Sequence, residues 1–185
     1  MGEGSRPAPV NLICAMLAGR EEWFAQAGDR LEKAFGPVEL ESEVWPFTFT
    51  DYYEPEMGGP LLRKIHSFRE LVAPDNLAAI KHTTNRLEGE LAAALPDAPR
   101  RPVNLDPGYV CLSKMVLATT KDYAHRVYVG AGIYAESTLH WRQGAFESWP
   151  WTYPDYRTDH YRAFFAKVRE LYQEKLHLLE GRQLG

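Results

Sequence analysis

The spacing of apolar side chains changes character several times along the first 105 residues, and that succession constrains the fold more than any single motif. Residues 9–18 are a short apolar run with the content of a buried strand. Phe24, Ala27, Leu31 and Phe35 then recur at helical spacing, and Gly36-Pro37 supplies a stop. Residues 38–47 alternate, with Val38, Leu40 and Val44 on one face and Glu39, Glu41 and Glu43 on the other, as in a half-exposed strand at a sheet edge. Residues 61–71 read as a further strand, Pro74-Asp75 opens a helix striped by Leu77, Ile80, Leu87, Leu91 and Leu95, and residues 102–105 are extended again. The order strand, helix, strand, strand, helix, strand predicts an α+β protein with a ferredoxin-like split βαβ core (βαββαβ).

Beyond this core, residues 109–120 fit a strand or a helix, because Val110, Leu112, Val116 and Ala118 alternate while Leu112, Met115, Val116 and Thr119 fit a helical face. Residues 126–129 and 133–141 read as strands joined around Gly130-Ala-Gly132, and residues 142–145 as another reversal, which predicts an antiparallel meander. Thr158 is placed to cap a final amphipathic helix carrying Tyr161, Phe164, Phe165, Val168, Leu171, Tyr172 and Leu176. With 185 residues, 45% of them hydrophobic, and no repeats, the expectation is a loose N-terminus over residues 1–8 and a single α+β domain over residues 9–185.

Charge narrows the range of partners. Lys and Arg total 21 against 25 Asp and Glu, so no global positive field exists to hold nucleic acid. Cys14 and Cys111 sit in apolar runs as small hydrophobes rather than as a disulfide framework. No segment has the length and apolarity of a membrane span or the make-up of a secretory signal, and the expected compartment is the cytoplasm.

Polar residues set into the apolar runs between positions 104 and 136 mark a candidate site, because a buried unpaired charge is costly unless it lines a satisfied cavity. Asn104-Leu-Asp-Pro-Gly-Tyr109 has the chemistry of a turn, yet Asn104 and Asp106 also share one strand face and could accept from a ligand. Lys114, Lys121, His125 and Arg126 form a local excess of cations suited to an anion such as phosphate or carboxylate, with Asp106, Glu136 or His125 available for acid-base work. The loop holding Tyr53 and Glu54 beside Gly58-Gly59 suits a mobile wall, and the rings of residues 149–156, with Asp155 among them, suit a pocket wall or a loop anchor. Lys81, Asn85 and Glu88 border the apolar face of the second helix, where an exposed stripe is the simpler reading.

The six histidines show no zinc spacing, and no P-loop or dinucleotide fingerprint is present. The spacing of Asp106, Glu136 and Asp155 neither supports nor opposes an oxygen-ligated Mg²⁺. Asp51-Tyr-Tyr-Glu54, Glu56-Met-Gly58, Thr84-Asn85, Asn104 to Tyr109, Lys114 to Asp122, His125-Arg126, Gly132 to Glu136 and Thr152 to Tyr156 occur in an order that resembles the bacterial and archaeal family termed domain of unknown function 4416. The resemblance spans nearly the whole chain. It implies that the polar stretches coincide with the family's motif positions and form one cluster, and it carries no mechanism; a GTP-binding label used for some members has no physical footing without a P-loop.

These residues point to binding of a small anionic ligand, phosphate- or carboxylate-bearing and including nucleotides, in a mixed-charge pocket, by a hydrolase or transferase. The alternative is a non-catalytic ligand-binding or protein-interaction module. The two part on whether Asp106, Glu136, Lys114 and Arg126 share one cavity in which a carboxylate pKa is raised.

Overall fold

A computed structural model of the protein describes residues 3–95 and 97–183. Met1 and Gly2, part of the expected loose N-terminus, lie outside the described residues, and residues 3–9 form no helix or strand. The elements in chain order are β1 (Val10–Ala18), α1 (Glu22–Phe35), β2 (Val38–Glu41), β3 (Trp45–Phe47), α2 (Glu54–Met57), β4 (Leu61–Val72), α3 (Leu77–Ala94), β5 (Val103–Val110), β6 (Lys114–Thr119), β7 (Arg126–Gly130), β8 (Ile133–Arg142), β9 (Ala145–Ser148) and α4 (Asp159–Gln183). Among the described residues they build a mixed α+β structure with one antiparallel sheet in the order β2-β4-β1-β5-β6-β8-β7, with β3 on β4 and β9 on β8. A sheet of nine strands is larger than the ferredoxin-like core expected, so that description does not cover the fold.

β1 explains how the layers assemble. All nine of its residues are buried, which is why, apart from Asn11, it reads as an apolar run rather than an alternating one. Leu12, Cys14, Met16 and Ala18 point into a cluster with α1 and α3, while Ile13 and Ala15 point to the opposite face, under Tyr161, Phe165 and Val168 of α4. Helices therefore cover both faces of the central strands. Each large apolar side chain fully buried there contributes roughly 1.5–3 kcal/mol. α1 stops where its sequence implies, with Gly36 at φ 86° and its N–H bonded to the Glu32 carbonyl at 2.9 Å.

Several expectations need correction. The alternating segment 38–47 is two short strands, split where Ser42 leaves the ladder and its hydroxyl accepts the Ile65 N–H at 2.9 Å. β2 is the sheet edge, as its glutamates suggest. Residues 109–120 are not helical: they finish β5, turn, and form β6 between β5 and β8. The loop after β3 contains the short helix α2. Thr158 precedes α4, but its hydroxyl donates to the Asp155 carbonyl at 2.7 Å and so ties the helix to the loop before it.

Asn104 to Tyr109 is no turn. The whole segment is strand, with Asp106 opposite Ala15, Pro107 opposite Cys14 and Gly108 opposite Ile13, so pairing with buried β1 overrides the local preference of Asp-Pro-Gly for reversal.

Candidate functional site

The site is a fork in the sheet. β5 pairs with β1 along its full length but with β6 only from Gly108 to Val110, while β6 runs on to Thr119 beside β8. From residue 107 back to residue 103, β5 and β6 diverge. At the crotch of the fork the strands approach so closely that a Cβ on Gly108 would lie 2.1 Å from the Val116 carbonyl oxygen, so only glycine fits.

A forked strand exposes backbone groups that must find other partners. Leu105 donates its N–H to Glu88 Oε1 at 2.7 Å and accepts from Lys81 Nζ at 2.9 Å, both from α3. Pro107, two residues on and on the same edge of the strand, has no N–H to leave unpaired. The sequence of β5 and the two side chains from α3 thus hold the fork open.

A cavity of about 630 Å³ fills the opening. On the β5 side, Asn104 Nδ2 donates to Asp106 Oδ2 at 2.6 Å, Arg101 Nη2 donates to Glu88 Oε2 at 2.9 Å and also to the side-chain Oδ1 of Asn104, and Lys81 Nζ stands 3.6 Å from Asp106 Oδ1. Below them Arg63 of β4 donates from Nη2 to Asp155 Oδ2 at 3.2 Å, with Nη1 3.7 Å from Asp106. On the β7–β8 side, Arg126 bonds Glu136 through Nε at 2.9 Å, the Lys121 carbonyl through Nη1 at 3.1 Å and the Tyr153 hydroxyl through Nη2 at 2.9 Å. At the mouth, Lys121 Nζ donates to the Tyr52 hydroxyl at 2.7 Å and lies 4.4 Å from the centre of its ring.

Burial sets the proton affinities. It pushes the Glu88 carboxyl up, against the pull of Arg101, Lys81 and the Leu105 N–H, and it pushes Asp155 up against the pull of Arg63. Burial also works against the charge of Arg63, but Tyr156, Asp155, Tyr161 and Asp106 outweigh it and raise its pKa. The phenols of Tyr53 and Tyr156 are pushed up by burial.

Of the residues singled out from sequence, Asn85, Asn104, Asp106, Lys121, Arg126, Glu136, Tyr53 and Asp155 line this cavity. Lys114, His125 and Glu54 do not. Lys114 begins β6 at the end remote from the fork, opposite His140, and is exposed. His125 lies behind Glu136, its Nε2 3.0 Å from Oε2, with its ring stacked between Tyr123 and Trp151. Glu54 opens α2 and faces solvent. Among the described residues no group of three or more His, Cys, Asp or Glu stands close enough to hold a metal ion.

Sequence reasoning missed Arg63 and Arg101 and left Lys81 and Glu88 as an exposed stripe. For Arg63 a signal existed: Leu61, Arg63 and Ile65 share the inward phase of β4, so a charge lies on a buried face. Arg101 sits in a loop beside Arg100, and nothing local tells the two apart.

Fold and cavity define a mixed α+β protein whose forked sheet encloses a charged pocket. The family described as Domain of unknown function (DUF4416) matches residues 8–172, and the chain belongs to it. No curated protein and no solved structure matches the chain.

Proposed function

We propose that the protein binds a small anionic molecule in the fork cavity. One observation carries this reading. Of the five cationic side chains lining the cavity, Arg63, Lys81, Arg101 and Arg126 each stand within 4.0 Å of a carboxylate, and Lys121 alone does not among the described residues. Its ammonium rests on Tyr52, a neutral partner that an anion at the mouth would outcompete. The volume falls in the range of small-molecule pockets, roughly 300–1,000 Å³, and charged and polar side chains line it together with the rings of Phe47, Phe49 and several tyrosines.

Proton transfer at a bound ligand falls to Asp106. Asn104 is its one side-chain hydrogen-bond donor among the described residues, whereas Glu136 is fully buried and accepts from Arg126, His125 and Thr138. We also read β2-β4-β1-β5 with α1 and α3 as a split βαβ unit on which the β6–β9 meander and α4 are mounted. Residues 9–185 are taken as one domain, and the cytoplasm is the proposed compartment.

The test is thermal unfolding of wild type and Lys121→Met against acetate, gluconate, citrate, inorganic phosphate and nucleotides. A ligand at about 100 times its Kd stabilises by about 2.7 kcal/mol. The expected result is stabilisation of wild type by at least one anion and its loss in Lys121→Met. Equal shifts in both proteins are a general salt effect, and they, or silence across the panel, overturn the reading.

A further inference from the structure

We propose that the molecule bound in the fork cavity is a monoanion of the hydroxylated carboxylic acid class, of which sugar acids are the type, with its carboxylate at Lys121. The inference rests on the anion reading above and narrows it.

The charge count limits the ligand. Among the described residues five cations and four carboxylates line the cavity, and the carboxylates are held in place: Glu136 by Arg126 at 2.9 Å, Glu88 by Arg101 at 2.9 Å, Asp155 by Arg63 at 3.2 Å and Asp106 between Lys81 and Arg63. The surplus is a single positive charge. Glu56 also approaches Arg101, at 3.7 Å, but it is exposed and lies outside the cavity, where water screens it. One negative charge on the ligand is therefore neutralised at Lys121. A second, as on a phosphate monoester near neutral pH, meets only carboxylates already committed to their arginines. Unit charges a few ångströms apart in a partly buried site repel strongly enough to cost at least about tenfold in affinity.

The uncharged lining indicates the body of the ligand. Asn85, Thr119, Thr120 and Tyr123 line the cavity together with Phe47 and Phe49. Asp106, its side chain 27% exposed and accepting one side-chain hydrogen bond, has acceptor capacity to spare for ligand hydroxyls. An apolar acid would bury these groups without partners, and a site built to hydrogen-bond a hydroxyl rejects the analogue lacking it by a wide margin. A hydroxylated ring satisfies the acceptors with its O–H groups and sets its C–H faces on Phe47 and Phe49.

The experiment is calorimetric titration of the full chain with probes that separate charge from hydroxylation. D-glucuronate, D-galacturonate and D-gluconate are hydroxylated monoanions, D-glucose is neutral, D-glucose 6-phosphate is a dianion, and hexanoate is a monoanion without hydroxyls. At least one sugar acid is expected to bind, with the other three probes at least about tenfold weaker. Lys121→Met is expected to weaken that sugar acid at least tenfold, and Lys121→Arg to retain it. Glucose 6-phosphate binding as tightly overturns the monoanion limit and leaves the anion reading standing. Hexanoate binding as tightly overturns the hydroxylated body. No heat from any of the three sugar acids overturns the class, while the anion panel decides the broader reading separately.

Discussion

Arg126 and Arg63 face one cavity from the two arms of the forked sheet, and their surroundings differ. Every nitrogen of the Arg126 guanidinium makes a hydrogen bond, to Glu136, to the Lys121 carbonyl and to Tyr153. Arg63 is as deeply buried, yet among the described residues only Nη2 is hydrogen-bonded, to Asp155, while Nε and Nη1 have no hydrogen-bond partner and the guanidinium lies 4.9 Å from the centre of the Phe47 ring. A fully bonded buried pair ties loops to strands. An underbonded one adds little to stability, and its charge instead sets the potential of the cavity and holds Asp106 and Asp155 where they stand.

Arg126→Met leaves the Glu136 carboxylate buried with only His125 and Thr138, and it should destabilise by about 3–5 kcal/mol in chemical denaturation. A loss under about 1 kcal/mol would show that the pair is not the fastening described.

His66, away from the cavity, is buried against Gly28 with neither ring nitrogen hydrogen-bonded among the described residues, and burial, helped by Lys64 and opposed by Glu41 and Glu32, lowers its pKa from 6.5 to about 4. Between those values the unfolded chain binds more protons than the folded one. The contribution is therefore complete above pH 6.5 and drains away as pH falls toward 4, by roughly 3 kcal/mol. Unfolding free energies at pH 7 and pH 4.5 for wild type and His66→Gln check this, since a parallel pH slope in the two proteins contradicts it.

The smallest effect is expected at Arg63. Its partner Asp155 is already pushed toward the protonated form by burial, so Arg63→Met leaves a group that can neutralise itself, at a cost of about 1–3 kcal/mol. Denaturation of the two arginine variants side by side should rank Arg126→Met well above Arg63→Met, and the reverse ranking would undo the contrast.

How much of this was legible in the sequence follows from where each partner lies. β1, α1 and α3 were readable because their periodicities record burial directly. The polar positions Asn104, Asp106, Arg126 and Glu136 stood out because strands of that apolar content tolerate charge only at a site. The fork was not readable, since it depends on β6 leaving β5 after Leu117, and Pro107-Gly108 looks locally like a reversal when it serves the divergence. Lys114 misled for a related reason. It is the first residue of β6, at the end remote from the fork, and its side chain is exposed. Lys81 and Glu88 looked like an exposed stripe because the backbone they bond, at Leu105, lies outside their helix, in β5.

Among the described residues Lys121 is the one cation of the cavity with no carboxylate within 4.0 Å, and it is the proposed anchor of an anion. A crystal structure of the protein with the anion that most raises its unfolding temperature tests this directly. The account predicts density for the anion inside the fork, within hydrogen-bond distance of Lys121 Nζ, with the Tyr52 contact given up. An anion bound outside the fork, or one inside it with Lys121 still resting on Tyr52, would contradict the account.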